Sequence, residues 1–358
     1  FGIWSLPNGD NTDKTLREIM DLYASEQESN SWYGFFDYGD VMHTYDFSRG
    51  QWRYDVGGYA WDNTELASNA MFWYNFLREG REQDWRLAVA ITRHTAEVDC
   101  YHSGPHAGLG SRHNVSHWGC GAKEARISQA FWNRFLYYLT ADERTGDLMS
   151  EVTDADTLLY HLDPMRLAQP RSDRFPCTAP ARLRIGPDWM AYAGNWFTEW
   201  ERTGNRKYYD KIIAGMKSIA NLPHGLFSGP KALGYDPATG EISWEGDPAL
   251  QNTNHLLSIM GGFEMMNEML LSIDYEPWNK VWLDHATHYK AKAWEISKNK
   301  FKVPRLQGYS YWKTGNRMVL DNAKKDMLIT PFDSKGVFST NSCATWSLDA
   351  IFLKEVAR

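Results

Sequence analysis

The chain has 358 residues, of which 43% are hydrophobic and 23% are charged, a composition ordinary for a globular protein. Its formal net charge of −7 argues against a nucleic-acid-binding protein, and no apolar run is long enough to span a bilayer. Aromatic residues are unusually frequent: 17 Trp, 19 Tyr and 16 Phe make up 15% of the chain. This excess is common where aromatic rings stack on sugars, although large helical cores use such residues as well.

The first 60 residues are predicted to be an irregular segment that packs on the rest of the chain. One helix is expected from about Asp13 to Ser25. Two stretches rich in glycine and aromatic residues, 32–40 and 49–59, do not alternate cleanly between polar and apolar positions, so we expect loops rather than core strands there. The chain opens on Phe rather than Met, which favours a processed form or a piece of a longer parent chain.

Residues 61–358 are predicted to form one domain of helical pairs. Short turns, as at Gly80, 144–146 and Gly204, join the two helices of a pair, and long loops separate the pairs. Repeated helical pairs indicate a solenoid or a closed toroid, so the predicted fold is all-α, an (α/α) toroid. The expected helices are Asp62–Arg78, Gln83–Tyr101, Ala122–Thr140, Asp147–Tyr160, Pro187–Arg202, Lys207–Asn221, Pro248–Leu271, Pro277–Ser297 and Asn341–Val356.

A small β-hairpin is predicted to interrupt these helices at about 225–245. The run Asp-Pro-Ala-Thr-Gly at 236–240 has the composition of a tight turn, and it lies between two short apolar segments. We therefore expect an inserted hairpin between two helical pairs.

The glycine-rich stretch 108–121 has the densest set of chemically useful side chains. It follows no hydrophobic period, so we predict a loop that delivers polar groups to the start of the next helix. Histidine, arginine and asparagine side chains are costly to bury without a purpose, which favours an active-site loop over a rigid turn. The candidate residues of this loop are Arg112, His113, Asn114, His117 and Trp118.

Further candidates precede or begin the predicted helices, because the pairing places every long loop at one end of the toroid. Helix capping would explain Asp62, Asp188 and Asn341, but it does not explain the aromatic and imidazole groups beside them. We expect these groups to line one carbohydrate-binding cleft. The additional candidates are Asp37, Tyr38, Tyr59, Trp61, Asn63, Trp189, Asn254 and His255.

Imidazole, phenol, guanidinium and amide groups together suit β-elimination on a uronate. A cation or an amide must neutralise the C6 carboxylate before a base can remove the C5 proton, and an acid then protonates the leaving O4. The predicted base is His113 or His117, the acid is Tyr59 or Tyr38, and the neutralising group is Arg112 or Asn63.

Two other functions stay open at the level of the sequence. A glycoside hydrolase would need two carboxylates, for which Asp37, Asp40, Asp55 and Asp62 are available. A non-catalytic sugar-binding toroid is expected if further domains of a parent chain carry the chemistry.

Metal binding is the less favoured interpretation of the histidines. His113 and His117 are four residues apart, but glycine and serine surround them and no HExxH pattern is present. We therefore expect no cofactor other than a structural ion such as Ca²⁺. The remaining histidines are predicted to be satisfied in the structure or exposed, with no partner visible in the sequence: His43, His94, His161 and His224.

Three runs of the chain carry a resemblance to a known family. They are Gly-Gly-Tyr-Ala-Trp-Asp-Asn-Thr-Glu at 57–65, Thr-Arg-His-Thr-Ala-Glu-Val-Asp at 92–99 and Gly-Ser-Arg-His-Asn-Val-Ser-His-Trp-Gly-Cys-Gly-Ala-Lys-Glu at 110–124. From about Trp32 to Val152 the chain resembles the C-terminal helical-toroid domain of the exo-rhamnogalacturonan lyase group, polysaccharide lyase family 26. The resemblance implies a toroid, elimination on a uronate–rhamnose polysaccharide, and β-rich domains that precede this one in a parent chain. A polymeric substrate also leads us to expect a secreted or periplasmic protein.

Overall fold

The computed structural model describes residues 4–35, 37–55, 60–111, 123–164 and 178–358. Helices dominate these residues, and most of them form antiparallel pairs in which the first helix is the more buried. The helices are α1 (Asn11–Ser29), α2 (Ser68–Glu79), α3 (Glu82–Glu97), α4 (Ala130–Thr140), α5 (Glu143–Glu151), α6 (Met190–Thr203), α7 (Arg206–Ala220), α8 (His255–Ile259), α9 (Gly262–Ser272), α10 (Glu276–Ser297), α11 (Pro304–Thr314), α12 (Arg317–Asp326) and α13 (Thr340–Val356).

The inner helices form a closed ring, which confirms the predicted (α/α) toroid. Helices α2, α4, α6 and α9 pack in sequence, and α11 packs against α13. The aromatic pair Phe263–Tyr309 and the ion pair Glu264–Arg305 join α9 to α11. The ring closes because α13 also packs against α2, while α1 lies outside against α13, α2 and α3. A single large apolar core runs through these contacts.

A repeated three-residue turn explains why the helices come in pairs. In Thr203-Gly204-Asn205 the glycine ends α6 with φ +72°, and Asn205 Oδ1 then accepts a 3.1 Å hydrogen bond from the amide of Lys207 at the start of α7. Residues 314–316 repeat the same Thr-Gly-Asn turn between α11 and α12. A left-handed residue followed by an N-capping side chain reverses the chain within a few residues, so the second helix must pack antiparallel to the first.

Short strands cover the end of the ring opposite to these turns, where the long connections lie. They form the small sheets β1–β4, β10–β2–β3, β5–β6 and β7–β8–β9, all antiparallel. The predicted hairpin within 225–245 is confirmed as β8–β9, closed by the turn at 236–240. Among the described helices, none combines the length and the apolar character that a membrane crossing needs. The strands are β1 (Val41–Met42), β2 (Thr44–Asp46), β3 (Gln51–Trp52), β4 (Trp61–Asp62), β5 (Gly110–Ser111), β6 (Lys123–Glu124), β7 (Ala181–Leu183), β8 (Leu233–Tyr235), β9 (Ile242–Ser243) and β10 (Val337–Ser339).

Several predicted helix starts are wrong, because tertiary contacts replace the expected caps. Asp62 does not cap α2: it lies in β4 opposite Val41, and Ser68 at the true start of the helix donates to its carboxylate at 3.2 Å. The helix expected from Ala122 begins at Ala130, whose amide donates to the Asn195 side chain of α6 at 2.8 Å.

Other departures follow the same rule. Asp188 lies inside a π-helical turn, Ile185–Trp189, and its carboxylate accepts from the Arg184 amide at 3.0 Å, ahead of α6. The expected helix 248–271 starts only at α8 and is interrupted before α9. Asn341 follows the start of α13 rather than capping it, and the pair α11–α12 had no prediction. A two-residue strand, β3, stands inside the expected loop 49–59.

Candidate functional site

The long connections and the starts of the inner helices share one end of the ring, called the loop end here. Each of α2, α4, α6, α9 and α11 is followed by a short turn, so these short turns lie at the opposite end. The strand pair β5–β6 stands at the loop end and flanks residues 112–122. Hydrogen bonds fix this strand pair: the Ser111 amide donates to the Asp99 carbonyl at 2.8 Å, and Lys123 Nζ donates to Ser111 Oγ at 2.8 Å. Six predicted site residues lie outside the described residues: Tyr59, Arg112, His113, Asn114, His117 and Trp118.

A buried ionic cluster adjoins the strand pair β5–β6 through Asp99. His94, at the end of α3, directs Nε2 to Asp40 Oδ2 at 3.3 Å and to Asp99 Oδ1 at 3.6 Å. Asn63 Nδ2 donates to Asp99 Oδ2 at 3.3 Å. Burial acts to lower the pKa of His94, but the charges of Asp40 and Asp99 outweigh it and raise the pKa to about 11. His94 is thus a satisfied, buried histidine, and its two partners, which the sequence does not reveal, are Asp40 and Asp99.

The cluster fixes segments that are far apart in the chain. Asp40 belongs to the N-terminal segment, Asn63 precedes α2, and Asp99 carries the carbonyl that binds β5. The donor atoms of Asp40, His94 and Asp99 lie within 4.8 Å of one another, a spacing that would also suit a metal ion. Asn63 is 1% exposed, so its amide acts here as a positioning group rather than as a contact for a sugar carboxylate.

A pocket of about 310 Å³ opens at the same end of the ring. The pairing of β7 with β8 places Arg184 and Lys231 on one of its walls, and residues 252–256 form the other. The π-helical turn packs close to this second wall, since a Cβ on Gly186 would lie 3.2 Å from the Asn254 carbonyl oxygen. These residues line a cavity of the size expected for a small ligand.

The pocket carries a local positive charge in a protein of negative net charge. Arg184 pairs with Asp188 at 2.6 Å and with Glu124 of β6 at 3.3 Å, so its charge is balanced. Lys231 is exposed and, among the described residues, forms no ion pair. Glu124 also pairs with Arg126. The ion pairs of Glu124 thus join the pocket to the strand pair β5–β6. Lys231 supplies the positive charge that is available to an anionic ligand.

Asn254 and His255 were predicted as site residues, and both line this pocket. Asn254 adopts a left-handed conformation with φ +46°, and its Nδ2 donates to the Leu226 carbonyl at 2.7 Å. His255 stacks on Phe301 with ring centroids 3.6 Å apart, and its Nδ1 is hydrogen-bonded to the Tyr289 hydroxyl. Asparagine tolerates this backbone region better than most other non-glycine residues.

The His255 imidazole is neutral at physiological pH. Burial, and then the nearby charge of Arg305, lower the pKa of His255 to about 4. A ring with so low a pKa is a weak base. Its contact with Tyr289 fixes its orientation, so it suits a hydrogen-bonding role toward a ligand.

The other described candidates do not enter this pocket. Trp189 is fully buried, with its indole against Gly215 and Trp278, and the prediction that it binds substrate is wrong because the ring fills the core. Trp61 is 8% exposed and packs edge-on against Trp32. Tyr38 lines a different cavity, between α1 and α3 on the outer side of the ring.

The carboxylates considered for hydrolysis do not line this pocket either. Asp40 and Asp62 are buried, while Asp55 is exposed and pairs with Arg53 and Arg49, which lower its pKa to about 2. Asp37 lies in the turn 34–37 beside Gly34, outside the lining of the pocket.

Sequence reasoning missed Arg184, Lys231, Tyr289 and the His94 cluster. The spacing of Arg184 and Asp188, four residues apart, is the one local signal of an ion pair among them. The remaining partners come from distant parts of the chain, and no local pattern in a single sequence links them.

Three likenesses to known proteins bear on this site. The family model of the PcRGLX-like protein C-terminal alpha/alpha toroid domain matches residues 1–327. An uncharacterized protein of Bacillus subtilis (strain 168), YetA, is 45% identical over 317 residues, which are 87% of this chain and 36% of that protein. The chain thus spans about a third of the length of this curated relative. The crystal structure of unsaturated glucuronyl hydrolase from Bacillus sp. GL1, an enzyme responsible for glycosaminoglycan degradation, superposes with a TM-score of 0.59 at 13% identity, covering 97% of this chain and 100% of that one.

Proposed function

The chain belongs to the PcRGLX-like C-terminal α/α toroid family, and we propose that it acts on an acidic polysaccharide as a lyase that cleaves a uronate–rhamnose backbone by β-elimination. The observation that carries this proposal is the loop-end pocket, which contains Lys231 and a neutral His255. Its Arg184 is ion-paired with Glu124 of the strand pair that flanks residues 112–122. The fold likeness to an enzyme named for glucuronyl substrates agrees with a uronate ligand.

The elimination step can be written with groups of this chain alone. A cation holds the C6 carboxylate and thereby acidifies the C5 proton. An imidazole takes that proton, the C5–H electron pair becomes the C4=C5 double bond, and the C4–O4 bond breaks as a phenol protonates O4. No oxidant, reductant or further reactant is needed.

We assign these roles as follows. His113 or His117 is the base, Tyr59 is the acid, and Arg112 together with Lys231 neutralises the carboxylate. Asn63 is withdrawn from the neutralising role because it is buried against Asp99, and Tyr38 is withdrawn as an acid because it lies at another cavity. Asn114 and Trp118 are proposed to contact the substrate beside this centre.

The test is a spectrophotometric assay with single variants. Incubation of the chain with rhamnogalacturonan should produce the ultraviolet absorbance of an unsaturated uronate, and the new chain end should be lighter by one water than a hydrolysis product. His113→Ala or His117→Ala should lower the rate by about 10²–10⁴-fold. His288→Ala is the matched control, since His288 is exposed on α10 and pairs only locally with Asp284. Full activity in both loop variants would refute the assignment.

The same assay separates the two other functions. Cleavage without the absorbing product would show a hydrolase. Binding without any cleavage would show a sugar-binding toroid whose chemistry lies elsewhere in a longer protein, a case that the 36% coverage of YetA brings into consideration. Since such polymers are met outside the cytoplasm, we propose that the protein acts as a secreted or periplasmic one.

A further inference from the structure

A second cavity lies on the outer flank of the ring, between α1 and α3. It measures about 360 Å³ and is lined mainly by Gln27, Glu28, Tyr33, Tyr38, Gln83 and Arg86. It shares no lining residue with the loop-end pocket. We propose that this flank cleft is a separate carbohydrate-binding site that holds a neutral pyranose segment of a polysaccharide.

The first argument is an exposed aromatic platform. Tyr33 and Tyr38 stack with their ring centroids 5.8 Å apart and their planes at 29°, and they are 49% and 44% exposed. Adjoining exposed aromatic rings form an apolar patch of the kind that marks a ligand-binding surface. The apolar face of a pyranose matches such a platform because both are flat and of similar width.

The second argument is that the platform is rigid before any ligand binds. The Tyr33 hydroxyl donates to the Glu28 carboxylate of α1, and the Tyr38 amide donates to the Gly34 carbonyl at 2.9 Å. Gly39, with φ +104°, lets the chain press against the Ala90 carbonyl of α3, where any side chain would collide. The rings therefore lose little conformational freedom when a sugar stacks on them.

The third argument concerns charge, and it selects a neutral sugar. Arg86 pairs with Glu82 on the same helix, so its positive charge is balanced. The Glu28 carboxylate remains beside the rings and would repel a uronate. Sugar hydroxyls can donate to this carboxylate and can exchange hydrogen bonds with the amides of Gln27 and Gln83.

Affinity electrophoresis of the whole chain tests the site. Native gels would contain soluble galactan, rhamnan or glucomannan, with polygalacturonate as the acidic comparison. We expect retardation in at least one neutral gel, and a Kd at least about tenfold weaker in the double variant Tyr33→Ala/Tyr38→Ala. The variant Tyr33→Phe/Tyr38→Phe should keep most of the affinity, because it keeps the stacking faces.

Controls distinguish this site from the proposed catalytic one. Phe47→Ala removes another exposed ring, 54% exposed, from a different surface and should leave the retardation unchanged. Lys231→Met alters the loop-end pocket and should also leave it unchanged, whatever the outcome of the lyase assay. The proposal is overturned if the wild-type chain is unretarded in every neutral gel, if it is retarded by polygalacturonate alone, or if the double alanine variant behaves as the wild type.

Discussion

Replacement of Arg305 tests how the ring is held together. Its guanidinium is completely buried and forms ion pairs with Glu264 of α9 at 2.9 Å and with Asp349 of α13 at 2.8 Å. It also donates to the Ser258 carbonyl of α8 at 2.7 Å. One side chain thus joins three inner helices to the short helix that carries His255.

The variant Arg305→Met should destabilise the protein by about 3–5 kcal/mol, because it leaves Glu264 and Asp349 buried without their cation. That is a large part of the roughly 5–15 kcal/mol that keeps an ordinary domain folded. Burial raises the pKa of both carboxyls, and the loss of Arg305 should raise each pKa further. Carboxyls whose pKa is raised on folding favour the folded state at low pH, so the destabilisation should be smaller at pH 5.5 than at pH 7.5.

Urea unfolding followed by tryptophan fluorescence at these two pH values measures the effect. The triple variant Arg305→Met/Glu264→Gln/Asp349→Asn removes all three charges and should recover at least half of the loss. Arg86→Met is the matched control: its ion pair with Glu82 is 73% and 77% exposed, and its loss should cost less than about 1 kcal/mol. A loss below about 1 kcal/mol in Arg305→Met, or a triple variant no more stable than the single one, would refute the reasoning.

Three further predictions concern the pocket, the pH dependence and the flank cleft. Lys231→Met should weaken the binding of acidic oligosaccharides about fivefold, because about 1 kcal/mol of charge attraction is lost in an exposed site. Titration calorimetry measures this change in Kd, and the Kd of neutral oligosaccharides should stay the same. Burial lowers the pKa of His285 to about 3, so the free energy of unfolding should fall as the pH drops from about 6.5 to 4. His285→Gln should reduce the slope of this free energy against pH by about 1.4 kcal/mol per pH unit. An unchanged slope would contradict burial of His285 as the cause. Gly39→Ala should cost more than about 2 kcal/mol in urea unfolding, since its Cβ would collide with the Ala90 carbonyl, whereas Gly50→Ala, which has open space and φ +64°, should cost about 1 kcal/mol; equal losses would exclude the collision.

Local sequence patterns are enough to predict the helical pairs and the inserted hairpin. The turns at Gly80, Gly204 and 236–240 are built from residues next to one another, whose backbone preferences and capping side chains act within a few positions. Such signals survive in a single sequence, because no distant part of the chain is needed to complete them. Their repetition indicates a solenoid or a toroid, and the contact of α13 with α2 closes the ring.

Contacts between distant segments fix where the inner helices begin and what each polar group does. Asp62 has the local character of a cap, yet pairing with the N-terminal segment makes it a strand residue. Trp189 stands at a helix start like the other candidates, but the neighbouring helices enclose its ring. The carboxylates of Asp40 and Asp99 stabilise the protonated form of His94, and folding brings Asp40 beside it from the N-terminal segment. Burial and charge pairing depend on segments far apart in the chain, and these come together only when the ring has closed.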